Sequence, residues 1–481
     1  LLADGVKSFA NSFDKLLANI EEKAEQLRGQ RHAHPGVSLG AVMSEGERAV
    51  SELQNKDVVA RIWAKDHTVW KPDPEELSNR LGWLTVTEIM RDQVPTLQAF
   101  ALEIRESGFH HVVLLGMGGS SLGPEVLRQI FGNTPGYPEL IVLDSTIPSL
   151  VQSVTGAIDP GRTLFVVSSK SGTTVEPNAF YSHFRRVVEE AIGPELTGQN
   201  FVAITDPETP LAELALRDDF RRVFLNPPDV GGRYSVLSYF GLVPAALIGI
   251  DIVALLDRAD SMREACASCT PANDNPGLLL GVVLGTKMLK GHDKLTLVTS
   301  PMIESLSLWT EQLIAESLGK ECKGIVPIVG EPLEPPASYG HDRLFVYIRL
   351  EDDKNSSADN AMDQIETAGY PVVRLNLRDR YDLGSEFFRW EFATAVTGAI
   401  IGVHPFNQPD VDNSKTLLTT LLQDHQKFDQ SSRKDLTAVF TQLLSHVESG
   451  DYIAIMIYSQ QSPEIDDALR CLRRKVISCQ A

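Results

Sequence analysis

The sequence predicts an α/β protein built on two doubly wound parallel sheets, with helical segments at both ends. Three observations carry that expectation. From residue 110 onward, short continuous apolar runs alternate with helix-patterned stretches, the texture of strands covered by helices on both faces. The rhythm gives way to a helix-rich stretch after residue 225 and resumes at residue 295, and a 481-residue chain is long enough for more than one core. Finally, the residues directly after the strands are rich in glycines, hydroxyls and single cations, and ligands of open parallel sheets sit beyond the carboxyl ends of the strands.

Residues 1–30 read as one amphipathic helix, with Val6, Phe9, Phe13, Leu16, Leu17, Ile20, Ala24 and Leu27 at three- and four-residue steps. A polar break over 29–36 contains His32 and His34, which lack a third ligand nearby and read as a solvated loop. Further helical sequence runs over 43–106. The first strand set is 111–115, 140–143, 163–167, 201–204 and 222–225, and the second is 295–298, 344–348 and 371–375. The expected organisation is an N-terminal helical segment (1–95), a first α/β domain (96–240), a second (241–425) and a C-terminal segment (426–481).

Bulk properties narrow the function. The chain is 43% hydrophobic, 22% charged and 7% aromatic, with a formal charge of −20. That balance argues against nucleic acid and anionic membrane surfaces as partners. It leaves room for an anionic small molecule met by a few cations inside a cleft. No run approaches the roughly 18 apolar residues a membrane helix needs, and the opening residues lack the pattern of a secretory signal. Five sparse cysteines fit free thiols in a reducing compartment, so the cytoplasm is the expected location. Cys266 and Cys269 have the spacing of a redox or zinc pair, but with no second pair or nearby histidine they read as helix-end packing.

Two turns are candidates for binding phosphate. After Leu115 comes Gly116-Met-Gly-Gly-Ser-Ser-Leu-Gly-Pro124, whose glycines let backbone amides approach an anion at the start of a helix. A dinucleotide site is the competing reading, with Asp144 as its acidic partner. The second turn runs Ser168-Ser169-Lys170-Ser171-Gly172-Thr173-Thr174 before another helix. Hydroxyls and amides there would meet phosphate oxygens, and Lys170 would balance part of the charge. It lacks a nucleotide P-loop's Gly-Lys-Thr, which suits a terminal monophosphate. Alternatively, Thr173 and Glu176 form a capping box that starts the helix without any ligand.

Further along, Ser300 and Pro301 read as the start of a helix, on which Gln312 and Glu316 share a face. Gly231-Gly-Arg233-Tyr-Ser235 places an arginine after paired glycines, and a polar loop from Pro405 to Lys415 leads into another helix.

Taken in order, Gly-Met-Gly-Gly-Ser-Ser-Leu-Gly-Pro, Ser-Lys-Ser-Gly-Thr-Thr, Gly-Gly-Arg-Tyr-Ser, Gln-Leu-Ile-Ala-Glu-Ser-Leu-Gly-Lys and Phe-Asn-Gln followed by Lys415 resemble phosphoglucose isomerases over about residues 40–425. The resemblance implies two sugar isomerase (SIS) domains and a homodimer that isomerises glucose 6-phosphate and fructose 6-phosphate through a cis-enediolate, with no metal and no cofactor. It implies sugar and phosphate binding by Gly119, Ser120, Ser169, Lys170, Ser171 and Thr174. Glu316 would be the base, with Gln312 beside it and Arg233 as the cation near the enediolate. Lys415 and Gln408 would meet the ring oxygen and hydroxyls. The family's ring-opening histidine, donated across the dimer interface, is matched by position by His341, with His404 as rival. A dual phosphoglucose/phosphomannose isomerase and a non-catalytic sugar-phosphate sensor are the alternatives. Residues 4–17 resemble the closing helix of transaldolases, which implies the isomerase half of a transaldolase fusion, without transaldolase activity.

Overall fold

The structure is a computed structural model that describes residues 37–38, 46–409, 413, 417, 420, 436–448, 450–460 and 462–480. The helix expected over 1–30, the pair His32 and His34, and Lys415 lie outside the described residues.

The strands form two five-stranded sheets among the described residues. The second sheet contains β1 (Val37–Ser38), β7 (Lys294–Thr299), β8 (Val326–Ile328), β9 (Arg343–Leu350) and β10 (Val372–Leu377). The first contains β2 (His111–Leu115), β3 (Glu139–Leu143), β4 (Thr163–Ser168), β5 (Phe201–Thr205) and β6 (Arg222–Leu225), in the order β3-β2-β4-β5-β6 with every pairing parallel. The order in the second is β1-β10-β9-β7-β8, with only β1 antiparallel. Both sheets wind outward in two directions from an inner strand, β2 in one and β7 in the other.

Every strand expected from the sequence is present, its ends displaced by no more than two residues. Two short edge strands are additional. β8 carries Pro327, which an edge tolerates because one of its sides has no ladder partner, and β1 is too brief to leave a pattern. β1 joins the edge of the second sheet, pairing Val37 with Leu375 and Ser38 with Arg374.

Helix starts differ from expectation in two instructive places. Ser300 precedes only a 3₁₀ turn, Pro301–Ile303, and its hydroxyl bonds Asn355 Oδ1 at 2.5 Å, so the helix begins later, at Leu306. The Thr173–Glu176 capping box does not form either. Thr174 is the N-cap of the helix Val175–Ile192, its hydroxyl caps no helix amide, and it lies 3.0 Å from Ser169 Oγ.

The main core runs continuously from Val50 to Phe406 and joins the two sheets. At its centre is the helix Leu383–Ile401, packed against the helices Ile252–Ala265, Pro276–Leu289 and Leu306–Leu318. Its residues from Leu383 to Gly398 are all buried, as expected of a helix enclosed on every side. Cys266 is the buried C-cap of Ile252–Ala265 and Cys269 is exposed; both are free thiols. The N-terminal segment is fastened to this centre by two indoles. Trp63 Nε1 donates to Cys266 O at 2.8 Å, and Trp70 Nε1 donates to Ala395 O at 2.7 Å. Trp70 also meets Phe406 edge to face, with ring centroids 5.0 Å apart.

No helix among the described residues is long and apolar enough to cross a membrane.

Trp70→Ala removes a buried ring together with its hydrogen bond to the Ala395 carbonyl, so denaturant unfolding should show a loss of about 3–5 kcal/mol. A loss below about 1 kcal/mol would mean that this indole does not fasten the segment.

Candidate active site

In the first sheet the winding reverses between β2 and β4, and the crevice outside the carboxyl ends of such a strand pair is the natural ligand position. The two turns singled out by sequence leave those strands. They are tied together, because Ser168 Oγ donates to Ser120 O at 3.1 Å. The glycine turn lies flat on the Gly232–Tyr234 turn: a Cβ on Gly119 would stand 2.1 Å from Gly232 O, so only glycine permits this approach. Ser120 is buried beneath it.

The hydroxyl turn is folded on itself. Gly172, at φ +66°, donates its N–H to Ser169 Oγ at 3.2 Å, and Ser171 Oγ lies 2.8 Å from Thr173 Oγ1. Without a side-chain cap, the first amides of Val175–Ile192 lack protein partners of the usual kind. Lys170 Nζ pairs with the Asp206 carboxylate and donates to Pro228 O at 2.9 Å. Burial draws the Lys170 pKa down and pushes that of Asp206 up, and the pairing opposes both shifts.

The third side of the cleft is the helix Leu306–Leu318. It approaches the glycine turn closely enough that a Cβ on Gly118 would lie 2.9 Å from Gln312 Nε2. That nitrogen donates to Glu316 Oε1 at 2.9 Å, while Gln312 Oε1 is buried and unpaired. The other Glu316 oxygen faces Arg233 Nη1 at 3.5 Å. The arginine is buried and fully engaged: Nε donates to Ser317 Oγ at 2.8 Å, and Nη2 donates to Pro405 O at 2.8 Å and Asn407 O at 2.9 Å. Burial pulls its pKa down, opposed by the nearby Glu316.

The segment carrying those carbonyls is clamped from a second direction. Lys320 Nζ donates to His404 O at 2.7 Å, Asn407 O at 2.6 Å and Asn407 Oδ1 at 2.8 Å. His404 Nδ1 accepts from the Phe406 and Asn407 amides at 3.1 and 3.2 Å. Its Nε2 therefore carries the proton, 3.2 Å from Glu75 O. Both ring nitrogens are thus engaged, Nδ1 by the strap's own amides and Nε2 by Glu75 O.

Glu316, Gln312, Arg233 and Gly119 thus meet directly, and Ser120, Ser169, Lys170, Ser171 and Thr174 line the adjoining turns. Gln408 follows the clamped Asn407 and is half-buried. His341 stands apart, exposed on the turn before β9, and among the described residues no hydrogen bond joins it to Glu316. Sequence reasoning missed Asp206, Ser317 and Lys320. Asp206 directly follows β5 and was within reach of the strand-end rule, whereas the other two reveal themselves only through contacts distant in sequence. Among the described residues no group of three or more His, Cys, Asp or Glu side chains could hold a metal ion.

Burial draws the His404 pKa from 6.5 to about 4. A depressed value means the unfolded chain takes up the proton first, so this stabilisation is complete above pH about 6.5 and is lost as the pH falls towards about 4. Asn at 404 offers an amide oxygen near the place of Nδ1 without titrating. His404→Asn should therefore lose less unfolding free energy between pH 7 and 4.5 than the unmodified chain, measured by denaturant melts. Equal slopes would show that His404 is already charged in the fold.

The family model for phosphoglucose isomerase matches residues 86–327. A glucose-6-phosphate isomerase from Staphylococcus saprophyticus is 29% identical, covering 77% of this chain and 92% of its own length. One from Staphylococcus aureus is 30% identical, covering 72% and 87%. Among solved structures, a hypothetical protein from Thermus thermophilus superposes with a TM-score of 0.69 at 26% identity, covering 81% of this chain and 99% of the other. A glucose-6-phosphate isomerase from Chlamydia trachomatis shares the fold at 18% identity, TM-score 0.66, over 88% and 99%. The matched span holds both strand-end turns, Arg233 and Glu316, and the chain belongs to the phosphoglucose isomerase family.

Proposed function

We propose that the chain is a glucose-6-phosphate isomerase, interconverting glucose 6-phosphate and fructose 6-phosphate through a cis-enediolate. The observation that carries this reading is the setting of Glu316. One oxygen is oriented by Gln312, the other faces a buried arginine, and the side chain is still 30% exposed to the cleft.

Isomerisation requires a base that removes a weakly acidic C2 proton and returns it at C1. An oriented, accessible carboxylate is suited to both steps. The enediolate formed between them is anionic. A guanidinium already stripped of water and fixed by Ser317, Pro405 and Asn407 stabilises that charge without reorganising. Gln312, which orients Glu316, would meet a sugar hydroxyl beside it. The phosphate would rest on the Ser169–Thr174 turn, with Gly119 and Ser120 at the sugar. None of these steps calls for a metal.

The names of the staphylococcal relatives support glucose 6-phosphate as a substrate. Two features extend the proposal. Gln408, next to the strap, and Lys415 would attend ring opening, and His341, exposed on its turn, would reach the cleft of a second copy in a cytoplasmic homodimer. The resemblance of residues 4–17 to transaldolases supports a fusion ancestry.

Glu316→Gln keeps the side chain's shape but removes the base. In a coupled assay turnover should fall about 10²–10⁴-fold, with substrate binding little changed. Retained turnover would remove Glu316 from the role. Mannose 6-phosphate in the same assay decides the dual-substrate alternative.

A further inference from the structure

A cation beside the hydroxyl turn would add to its hold on a phosphate dianion, and the one in that turn is already paired with a carboxylate. Lys170 and Asp206 form a close ion pair with side chains only 21% and 14% exposed, so together they offer a dianion little net charge. At the far end of the cleft, Arg233 is matched by Glu316.

Arg80 lies between them. Leu81 bridges Val230 in antiparallel fashion, and Gly82 donates its N–H to Asp229 O at 2.8 Å, so the chain at 80–82 runs beside 229–231. A Cβ on Gly231 would sit 3.8 Å from Arg80 Cδ. The Pro228–Arg233 stretch therefore holds Lys170 at its first carbonyl, Arg80 along its middle and Arg233 at its end. The charge of Arg80 is felt at Lys170, Asp206 and Arg233 alike.

Arg80 itself is loosely engaged. Glu76 approaches Nη2 only to 3.7 Å, and Nη1 donates to Asn79 O at 3.2 Å, with the arginine side chain 24% exposed. The Asp229 carboxylate, which lies against Gly82, is paired with Lys65 at 3.2 Å. A partly exposed, weakly paired guanidinium can exchange such a partner for a dianion, and its planar fork matches two phosphate oxygens.

We propose that Arg80 is the cation that binds the substrate's phosphate group, while the Lys170–Asp206 pair fixes the shape of the turn. This deepens the sugar-phosphate reading above and rests on it.

The test uses sorbitol 6-phosphate, an open-chain phosphate that cannot isomerise, measured by calorimetry on the full chain alongside steady-state kinetics on glucose 6-phosphate. Arg80→Gln should weaken binding and raise KM by about 10–100-fold, the worth of a hydrogen bond to a charged group. Its kcat should stay within about threefold of the unmodified enzyme, because the phosphate does not react. Arg80→Lys should regain part of the affinity, and Glu76→Gln, which removes the competitor, should tighten binding. Binding and KM unchanged in Arg80→Gln, or a fall in kcat alone, would overturn the assignment. So would failure of the unmodified chain to bind the ligand at millimolar concentration. Should Arg80→Gln not fold, Glu76→Gln decides, and unchanged or weaker binding rejects the role. If the unmodified chain binds but does not isomerise, the isomerase reading fails and Arg80 is judged on binding alone.

Discussion

Burying a guanidinium costs several kcal/mol unless its donors are paired, and the pairing of Arg233 is what gives this cleft its shape. Its donors reach Ser317 on the Glu316 helix, the carbonyls of Pro405 and Asn407 on the strap, and the Glu316 carboxylate itself. The backbone that carries it lies against the glycine turn with no room for a side chain at Gly119. Four segments from distant parts of the chain therefore share one charge as their common point. Lys320 repeats the arrangement one step away, with three bonds to the strap, and neutral His404 closes it from within. A site assembled this way is rigid before substrate arrives, which electrostatic stabilisation of an enediolate requires.

The two sheets share a winding pattern, but their crevices are lined differently. In the first, the reversal between β2 and β4 opens onto glycines, hydroxyls and uncapped amides. In the second, the equivalent place between β7 and β9 is filled. Ser300 Oγ binds Asn355 Oδ1 at 2.5 Å and accepts from the Leu350 amide at 2.8 Å, and Asn355 Nδ2 donates to Leu350 O at 2.6 Å. The second unit contributes instead through the far end of the Leu306–Leu318 helix, which carries Gln312 and Glu316 to the first unit's crevice. Division of labour between the halves follows from which crevice is polar and open, and which is plugged.

Much of this was legible in the sequence, for reasons that also explain what was not. Parallel strands covered on both faces must be continuously apolar, so β2 to β7, β9 and β10 announce themselves, while β8 with its proline and the two-residue β1 do not. The strand-end turns are visible because close backbone approach demands glycine. The capping box was misleading: Thr173 and Glu176 have the right spacing, yet the Thr174 hydroxyl turns to Ser169. Glu316 looks like any helical glutamate until Arg233 is seen opposite it. Lys320 and Ser317 gain their meaning only from partners brought near by the fold, and the pairing of Lys170 with Asp206 has no signature in the sequence.

The central claim is that one hexose phosphate spans from the hydroxyl turn to Glu316 with Arg233 unmoved. A crystal structure with a bound hexitol 6-phosphate tests it most directly. It should show phosphate oxygens on the Ser169–Thr174 turn, and a Glu316 oxygen within about 3.2 Å of the C1–C2 end. Arg233 should keep its bonds to Ser317, Pro405 and Asn407. A ligand seated elsewhere, or a Glu316 turned away from its carbon chain, would contradict the account.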